Sequence, residues 1–291
     1  ALGKKANVVI NEVSASLRPL YNMYIDNPSY PDDLFLTSEQ ALNLADENSM
    51  VVVVDTNRPK MVECEELLYL AKTIVVLDHH RQSSDSIDNA LLSYIEPYAS
   101  SACEMVSEIL QYIVDDIQIP NLEASSMYAG IMIDTNSFMN RTGVRTFEAA
   151  AFLRRSGADI TLVRKMFRDD MEGYRAKAAI ISSAEVYQKK FAIATGTDLH
   201  VESPTIIGAQ AANELLDISE IKASFVLTEY NGKIYVSARS IDEVNVQVIM
   251  EKLGGGGHMN ASGAQFNHTD MDEAVACLKQ VLDNMIKEGD I

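Results

Sequence analysis

Positive charge is scarce in this sequence: 24 Lys and Arg residues stand against 42 Asp and Glu, a formal net charge of −18 at pH 7. A surface this acidic repels long polyanions, so processive binding to DNA or RNA is disfavoured. Acidic residues that bind divalent cations account for only a few of these charges, and most of the excess is solvated surface. The charge balance therefore favours a small substrate over a long nucleic acid.

Paired cysteines and long apolar runs are also missing. Cys64, Cys103 and Cys277 lie far apart and form no CxxC motif, which favours buried free thiols in a reducing cytosol over disulfides or structural zinc. No apolar run approaches the ~20 residues that cross a membrane. We therefore expect a cytoplasmic fragment, and its 291 residues leave room for two domains.

Three apolar segments each end on an aspartate: residues 50–54 before Asp55, 74–77 before Asp78, and 129–133 before Asp134. The first two are rich in β-branched residues, as buried strands are. The third is ambiguous because residues 121–133 also have helical periodicity, and we favour a helix that ends near Asp134. Carboxylates at strand ends predict a ligand site along one edge of an open α/β sheet.

Strand, helix and strand follow one another in residues 50–78, with Pro59 suited to the first turn of a helix that continues through residues 63–71. This βαβ unit predicts a parallel sheet. Further along, Ser101 and Glu104 have the spacing of a capping box, which predicts the start of another helix.

The architecture changes after Lys189-Lys190. Apolar strands at residues 225–228 and 233–236 flank Asn231-Gly232, a strong hairpin signal. We predict an α/β fold in two domains: a parallel-sheet domain at residues 1–188 and a smaller mixed α/β domain at residues 189–291.

The side chains at the predicted sheet edge suit a metal site. Asp55, His79 and Asp134 form an oxygen-rich set with one imidazole, which suits Mn²⁺, with Mg²⁺ or Fe²⁺ as alternatives. One aspartate can bridge two such ions during phosphoryl displacement. Asp78 is placed to orient a neighbouring histidine, and His80 to contact a phosphate or protonate a leaving group. The alternative is three unrelated aspartates that end strands or cap helices.

A single arginine in the second domain is a candidate phosphate ligand. Arg239 alternates along its strand with Val236, Ala238 and Ile241, which we expect to be buried, so its guanidinium points to the other face. There it could bind a phosphate bidentately. A solvent-facing arginine is the equally simple alternative.

Four consecutive glycines, residues 254–257, precede His258, Asn260 and Ser262. One glycine is enough to end a helix, whereas four let backbone N–H groups approach a phosphate or base closely. The flanking polar side chains favour this second interpretation, although a simple helix end stays open.

The motifs together resemble those of a known family. Four of them match, in order and spacing, the second to fourth acidic motifs and the GGGH signature of DHH phosphoesterases: Asp55-Thr56-Asn57, Asp78-His79-His80, Asp134-Thr135-Asn136 and Gly254 to His258. Within that family the chain is most similar to the C-terminal half of GdpP-type cyclic-di-AMP phosphodiesterases. The resemblance implies a DHH domain and a smaller DHH-associated domain with an active-site cleft between them.

The resemblance also implies a function in bacterial signalling. It predicts two Mn²⁺ ions, hydrolysis of cyclic-di-AMP to linear pApA, a possible homodimer, and a parent protein anchored in the cell membrane behind sensory domains. By motif, Asp55 would bridge the ions, and His79 with Asp134 would complete one site. The expected catalytic residues are Asp78 and His80. The expected substrate-binding residues are Arg239, Gly255, Gly256, Gly257, His258 and Asn260.

The sequence departs from the family at one motif. DHH enzymes begin with His-x-x-x-Asp-x-Asp, whereas the first histidine here is His79. We therefore expect this chain alone to have incomplete metal sites and impaired turnover. Two alternatives follow: an oligoribonuclease or pAp phosphatase of the same family, and a nucleotide-binding fragment without catalysis.

Overall fold

The computed structural model describes residues 3–14, 17–82, 85–168, 170–241 and 243–291. The chain divides into two compact units, residues 1–168 and 169–291. The predicted domain boundary after residue 188 stays a prediction. The mixed α/β fold with a parallel sheet in the first unit is confirmed. No helix in the described ranges is both long and apolar enough to cross a membrane.

The first unit begins with short strands and ends in helices. Its elements are, in chain order, β1 (Val8–Val9), α1 (Arg18–Ile25), β2 (Phe35–Leu36), α2 (Ser38–Leu44), β3 (Met50–Val54), a 3₁₀ turn (Pro59–Met61), α3 (Leu67–Leu70), β4 (Thr73–Asp78), β5 (Leu92–Ile95), α4 (Ala102–Ile113), α5 (Asn121–Asp134), α6 (Val144–Arg155) and α7 (Ile160–Met166). Strands β3, β4 and β5 form a parallel sheet in that order, and β1 pairs with β2 in a separate parallel ladder.

The two strands predicted at residues 50–54 and 74–77 are confirmed, and β4 extends to include Asp78. Adjacent parallel strands end at the same edge of a sheet, so the chain after β3 and the chain after β4 leave the sheet side by side. This arrangement positions the candidate site.

The helix predicted through residues 63–71 is wrong in its extent: only Leu67–Leu70 is α-helical, after the separate 3₁₀ turn. The carbonyl of Glu63 accepts hydrogen bonds from Asn11 Nδ2 (2.8 Å) and Ser38 Oγ (2.9 Å). These contacts from residues far away in sequence compete with the helical bond that this carbonyl would otherwise accept. The helix therefore begins later than its apolar pattern predicts.

Helix α5 settles the ambiguous segment before Asp134 in favour of the helix. After its last turn the Ser137 N–H donates back to the Met132 carbonyl (2.7 Å), which closes the helix end. Residues Asn136 to Phe138 adopt left-handed backbone angles, with φ of 47°, 57° and 66°. Asp134 is thus the final helical residue rather than the end of a strand.

The second unit is a six-stranded sheet between helices. Its elements are α8 (Met171–Ser182), β6 (Glu185–Tyr187), β7 (Phe191–Gly196), α9 (Pro204–Leu215), β8 (Ala223–Tyr230), β9 (Lys233–Ser240), α10 (Val246–Lys252), β10 (Gly256–His258), β11 (Ala261–Asn267) and α11 (Met271–Glu288). The strand order is β10-β11-β9-β8-β7-β6, with only β7 and β8 parallel in the described ranges.

Apolar cores cover both faces of this sheet. One face packs against α10 and α11 around Phe191 and Phe225, and the other packs against α8 and α9 around Ala192 and Val226. The predicted hairpin between β8 and β9 is confirmed, because Asn231 and Gly232 take the positive φ angles (52° and 70°) that its turn requires.

Candidate functional site

Asp55 and Asp78 lie together at the carboxyl ends of β3 and β4. The backbone N–H of Asp55 donates to the Leu77 carbonyl (3.0 Å), which continues the ladder to the sheet edge. Asp55 then has φ of 64°, a left-handed angle that is uncommon outside glycine. The chain therefore turns sharply off the sheet at the residue predicted to bind metal.

Three side chains at this edge come close enough to share an ion. Ligand atoms of Asp55, His79 and His80 all lie within 4.8 Å of one another. The shortest contact joins His79 Nε2 to Asp55 Oδ1, at 3.2 Å. The sequence predicted Asp55 and His79 here as metal ligands and His80 as a catalytic residue, and the structure brings all three together.

The buried ring of His79 has a defined tautomer. Its Nδ1 lies 3.3 Å from the Ala99 carbonyl, which can only accept, so the proton belongs on Nδ1. Nε2 then faces the Asp55 carboxylate at 3.2 Å, where it is a donor if the ring is protonated and a lone pair if it is neutral. In the neutral ring two acceptors face each other. Adjacent ligands that each lie ~2.1 Å from an octahedral ion are ~3 Å apart, so the pair suits a divalent cation.

The electrostatics of the site also favour a cation. Burial by itself would lower the pKa of His79, but Asp55 and Asp134 together raise it. Desolvation and the charge of Asp55 raise the pKa of Asp134. The raised pKa values of His79 and Asp134 mean that both groups hold protons more tightly than usual, because negative charge is concentrated here. A bound metal ion would supply positive charge in place of a proton.

Asp134 is not part of the three-residue cluster. It stands at the end of α5, where its charge acts on His79. The assignment of Asp134 as a metal ligand stays a prediction.

Asp78 orients the His80 ring through hydrogen bonds. Its fully buried carboxylate accepts hydrogen bonds from Asn57 Nδ2 (2.5 Å), from the His80 backbone N–H (3.1 Å) and from His80 Nδ1 (2.8 Å). With its proton on Nδ1, the half-exposed His80 ring has no hydrogen-bonding partner for Nε2 among the residues that the structure describes. Sequence reasoning missed Asn57, although its place in Asp55-Thr56-Asn57 was a signal. The catalytic roles of Asp78 and His80 stay predictions.

Arg239 lies on β9 on the face opposite Val236 and Ala238, which are buried as predicted. Ile241 was predicted to be buried with them, but it is 58% exposed, because the two-residue alternation of β9 assigns position 241 to the same face as Arg239.

The guanidinium of Arg239 is partly desolvated, which lowers its pKa. It donates to the Ala238 carbonyl (2.9 Å), and no carboxylate in the described part of the chain pairs with it. Its cross-strand neighbour on β11 is Ala261, and Gly263 pairs with Ser237 next along the ladder. The cross-strand neighbours of this cation are therefore small.

The glycine run separates into two kinds of position. A Cβ on Gly255 would lie 2.1 Å from the Gly263 carbonyl oxygen, and one on Gly257 would lie 2.7 Å from that of Ala261. A Cβ on Gly256 would meet nothing within 4 Å. Close packing between β10 and β11 thus requires glycine at two positions, while the third faces open space.

Two of the polar residues after the glycines make contacts within the second unit. Asn260 Nδ2 donates to the Ile241 carbonyl (2.8 Å), so this amide holds the end of β9. His258 ends β10 and pairs with Ala261 across the turn. Substrate binding by His258, Asn260 and the glycines stays a prediction.

Two protein-family models match the chain, one over the aspartate and histidine motifs and the other over Arg239 and the glycine run. The model of the DHH family N-terminal domain matches residues 5–131, and the DHHA1 domain model matches residues 189–284. The chain belongs to the DHH family. Asp55 and Asp78-His79-His80 lie inside the first matched range, and Arg239 and the glycine run lie inside the second. The predicted resemblance is confirmed.

Two relatives are similar over most of this DHH-family chain. It is 44% identical over 252 residues to the cyclic-di-AMP phosphodiesterase GdpP of Geobacillus thermodenitrificans, which is 86% of this chain and 38% of that protein. It is 40% identical over 283 residues to the cyclic-di-AMP phosphodiesterase PdeA of Listeria monocytogenes, 96% of this chain and 43% of that one. The chain thus spans less than half of the length of either relative.

A solved structure shares the fold. The crystal structure of an exopolyphosphatase-related protein from Bacteroides fragilis has a TM-score of 0.78 at 23% identity, over 97% of this chain and 84% of that one. The fold described above is therefore also found in that structure.

Proposed function

We propose that this protein is a metal-dependent phosphodiesterase that hydrolyses cyclic-di-AMP to linear pApA. The proposal rests on the cluster of Asp55, His79 and His80, whose ligand atoms lie within 4.8 Å of one another, in a chain 44% identical to a cyclic-di-AMP phosphodiesterase. The net charge of −18 agrees with a small substrate rather than a long polyanion.

Asp55 and His79 would hold the metal, with Asp134 as the further ligand and Mn²⁺ as the ion that this donor set suits best. When bound, two such ions would polarise the phosphate and lower the pKa of an attacking water. Asp55 is proposed as the carboxylate that would contact both ions.

His80 is proposed to protonate the leaving oxygen. Its Nδ1–H donates to Asp78, which fixes the ring and leaves Nε2 as the nitrogen that can carry a transferable proton. Asn57 Nδ2 in turn holds Asp78 in place.

The second unit is proposed to bind the nucleotide. Arg239 would contact a phosphate, and the open side of Gly256 would allow the substrate to approach the backbone. Membrane anchoring of the full-length protein and a homodimer stay predictions that follow from the resemblance.

A direct assay tests the function. Purified full-length protein is incubated with Mn²⁺ and cyclic-di-AMP, and the products are separated by chromatography. Conversion to pApA at a rate above that with pAp or short RNA is the expected result. Faster cleavage of pAp or short RNA would favour the oligoribonuclease alternative, and tight binding without turnover would favour a nucleotide sensor.

Substitutions in the glycine run should separate binding from folding. Gly256→Val is expected to keep the melting temperature of the full-length protein while weakening cyclic-di-AMP binding about tenfold or more, because its side chain enters the space left for the ligand. Isothermal calorimetry and thermal unfolding measure the two effects.

Gly255→Ala is the matched control. Its Cβ would overlap the Gly263 carbonyl oxygen, so the second unit should lose about 1–3 kcal/mol of stability. If both variants lowered the melting temperature equally, or if Gly256→Val bound nucleotide normally, the open side of Gly256 would not be a binding surface.

A further inference from the structure

Glu104 is a buried carboxylate that the proposed mechanism does not use. Its side chain is 1% exposed, in the first turn of α4. The predicted capping box is only half present: the Ser101 hydroxyl accepts from the Glu104 N–H (3.0 Å), but the carboxylate does not return to Ser101. Instead, Oε2 accepts from Ser100 Oγ (2.5 Å) and from the Ser100 backbone N–H (3.3 Å). A buried charge is costly, so this position is unusual for a simple cap.

The bond to the Ser100 N–H acts on a peptide group that touches the candidate metal site. That N–H and the Ala99 carbonyl belong to one planar peptide unit. The Ala99 carbonyl is the acceptor for His79 Nδ1. A contact that fixes the plane through its N–H therefore also fixes the direction of its carbonyl.

Arg145 on α6 supplies the opposite charge. Its guanidinium binds Glu108 with two contacts of 2.7 Å and lies 4.0 Å from Glu104 Oε1. It also lies 3.5 Å from Glu96, whose carbonyl accepts from the Ala99 N–H (3.0 Å). Glu96 and Glu104 thus hold the two ends of the segment that carries the Ala99 carbonyl, and both of their carboxylates face Arg145.

We propose that Glu104 is a positioning residue for the metal site: it holds the Ala99–Ser100 peptide so that His79 keeps its proton on Nδ1 and its Nε2 free for a cation. Arg145 balances the charge of Glu104. This inference rests on the proposed function, because it requires that His79 binds a metal.

Metal affinity tests the proposal without relying on turnover. Mn²⁺ is titrated into full-length wild-type protein and the Glu104→Ala variant, and free Mn²⁺ is followed by electron paramagnetic resonance. Loss of an outer hydrogen-bonding partner typically weakens a metal site 10–100-fold, and we expect a loss in that range for Glu104→Ala.

Glu108→Ala is the matched control, because it removes another carboxylate that binds Arg145 from the same helix but does not touch Ser100. Its Mn²⁺ affinity should stay within about twofold of the wild type, well short of the loss that a disturbed ligand shell causes. Glu104→Gln keeps an acceptor oxygen and should restore most of the affinity. In a His79→Ala background, Glu104→Ala should cost no further affinity.

The outcomes separate the two proposals. Wild-type protein that bound no Mn²⁺ would overturn both the metal site and the positioning role. Normal Mn²⁺ binding by Glu104→Ala, or equal losses in the Glu104 and Glu108 variants, would overturn the positioning role alone. If Glu104→Ala fails to fold, Glu104→Asp keeps the carboxylate but shortens its reach to the Ser100 N–H and should weaken Mn²⁺ binding in the same direction; unchanged affinity there would also refute the inference.

Discussion

Replacing Asp55 with alanine in the full-length protein is expected to abolish metal binding and cyclic-di-AMP hydrolysis together, by ~100-fold or more, the upper end of losses for residues that merely support ligands. The Asp55 carboxylate faces His79 Nε2 at 3.2 Å and raises its pKa, so it is central to the cation site. Elemental analysis of bound metal and turnover should fall in parallel.

Asp134→Ala is the natural comparison. Asp134 lies outside the cluster of Asp55, His79 and His80, so its loss should leave more bound metal and more activity than the loss of Asp55. A carboxylate that bridges two ions affects both, whereas a terminal ligand affects one. Wild-type metal content in the Asp55 variant would contradict the assignment.

Arg239→Ala is expected to weaken nucleotide binding while leaving Mn²⁺ occupancy unchanged. Arg239 is a partly desolvated cation with no carboxylate partner in the described ranges, beside small cross-strand neighbours. A charge-assisted contact to a phosphate is typically worth ~1.5–3 kcal/mol, which corresponds to a loss of ~10–100-fold in kcat/KM. Calorimetry in a His79→Ala background measures nucleotide binding without turnover.

Two further variants make this test specific. Arg239→Lys keeps the charge but loses the planar pair of donors, so an intermediate affinity is expected. Lys233→Ala removes a cation from the same face of β9 near the hairpin and should leave affinity unchanged. If Arg239→Ala binds cyclic-di-AMP like the wild type, Arg239 is the solvent-facing arginine of the alternative interpretation.

Local patterns in the sequence determined much of the fold. Runs of β-branched residues predicted β3 and β4 and their parallel pairing, and Asn231-Gly232 predicted the hairpin in the second unit. The order of the aspartate, histidine and glycine motifs identified the family. These features depend on neighbouring residues in the chain or on motif spacing, so they are readable without coordinates.

Contacts between distant residues decided the rest. Only the folded chain places the Ala99 carbonyl against His79, or makes Glu104 bind Ser100 rather than complete a capping box. Only the pairing of β10 with β11 shows that Gly255 is required by close packing while Gly256 is open.

Contacts between distant residues also accompany the short helix α3. Asn11 and Ser38 donate hydrogen bonds to the Glu63 carbonyl, which a longer helix would use as an acceptor. Local propensity measures what a segment prefers by itself. At buried positions such as Asp78, hydrogen bonds are worth more than such preferences because an unpaired group costs ~1–3 kcal/mol. The sequence by itself therefore determined which elements and motifs are present, while the tertiary structure decided which polar atoms remain free to bind a ligand.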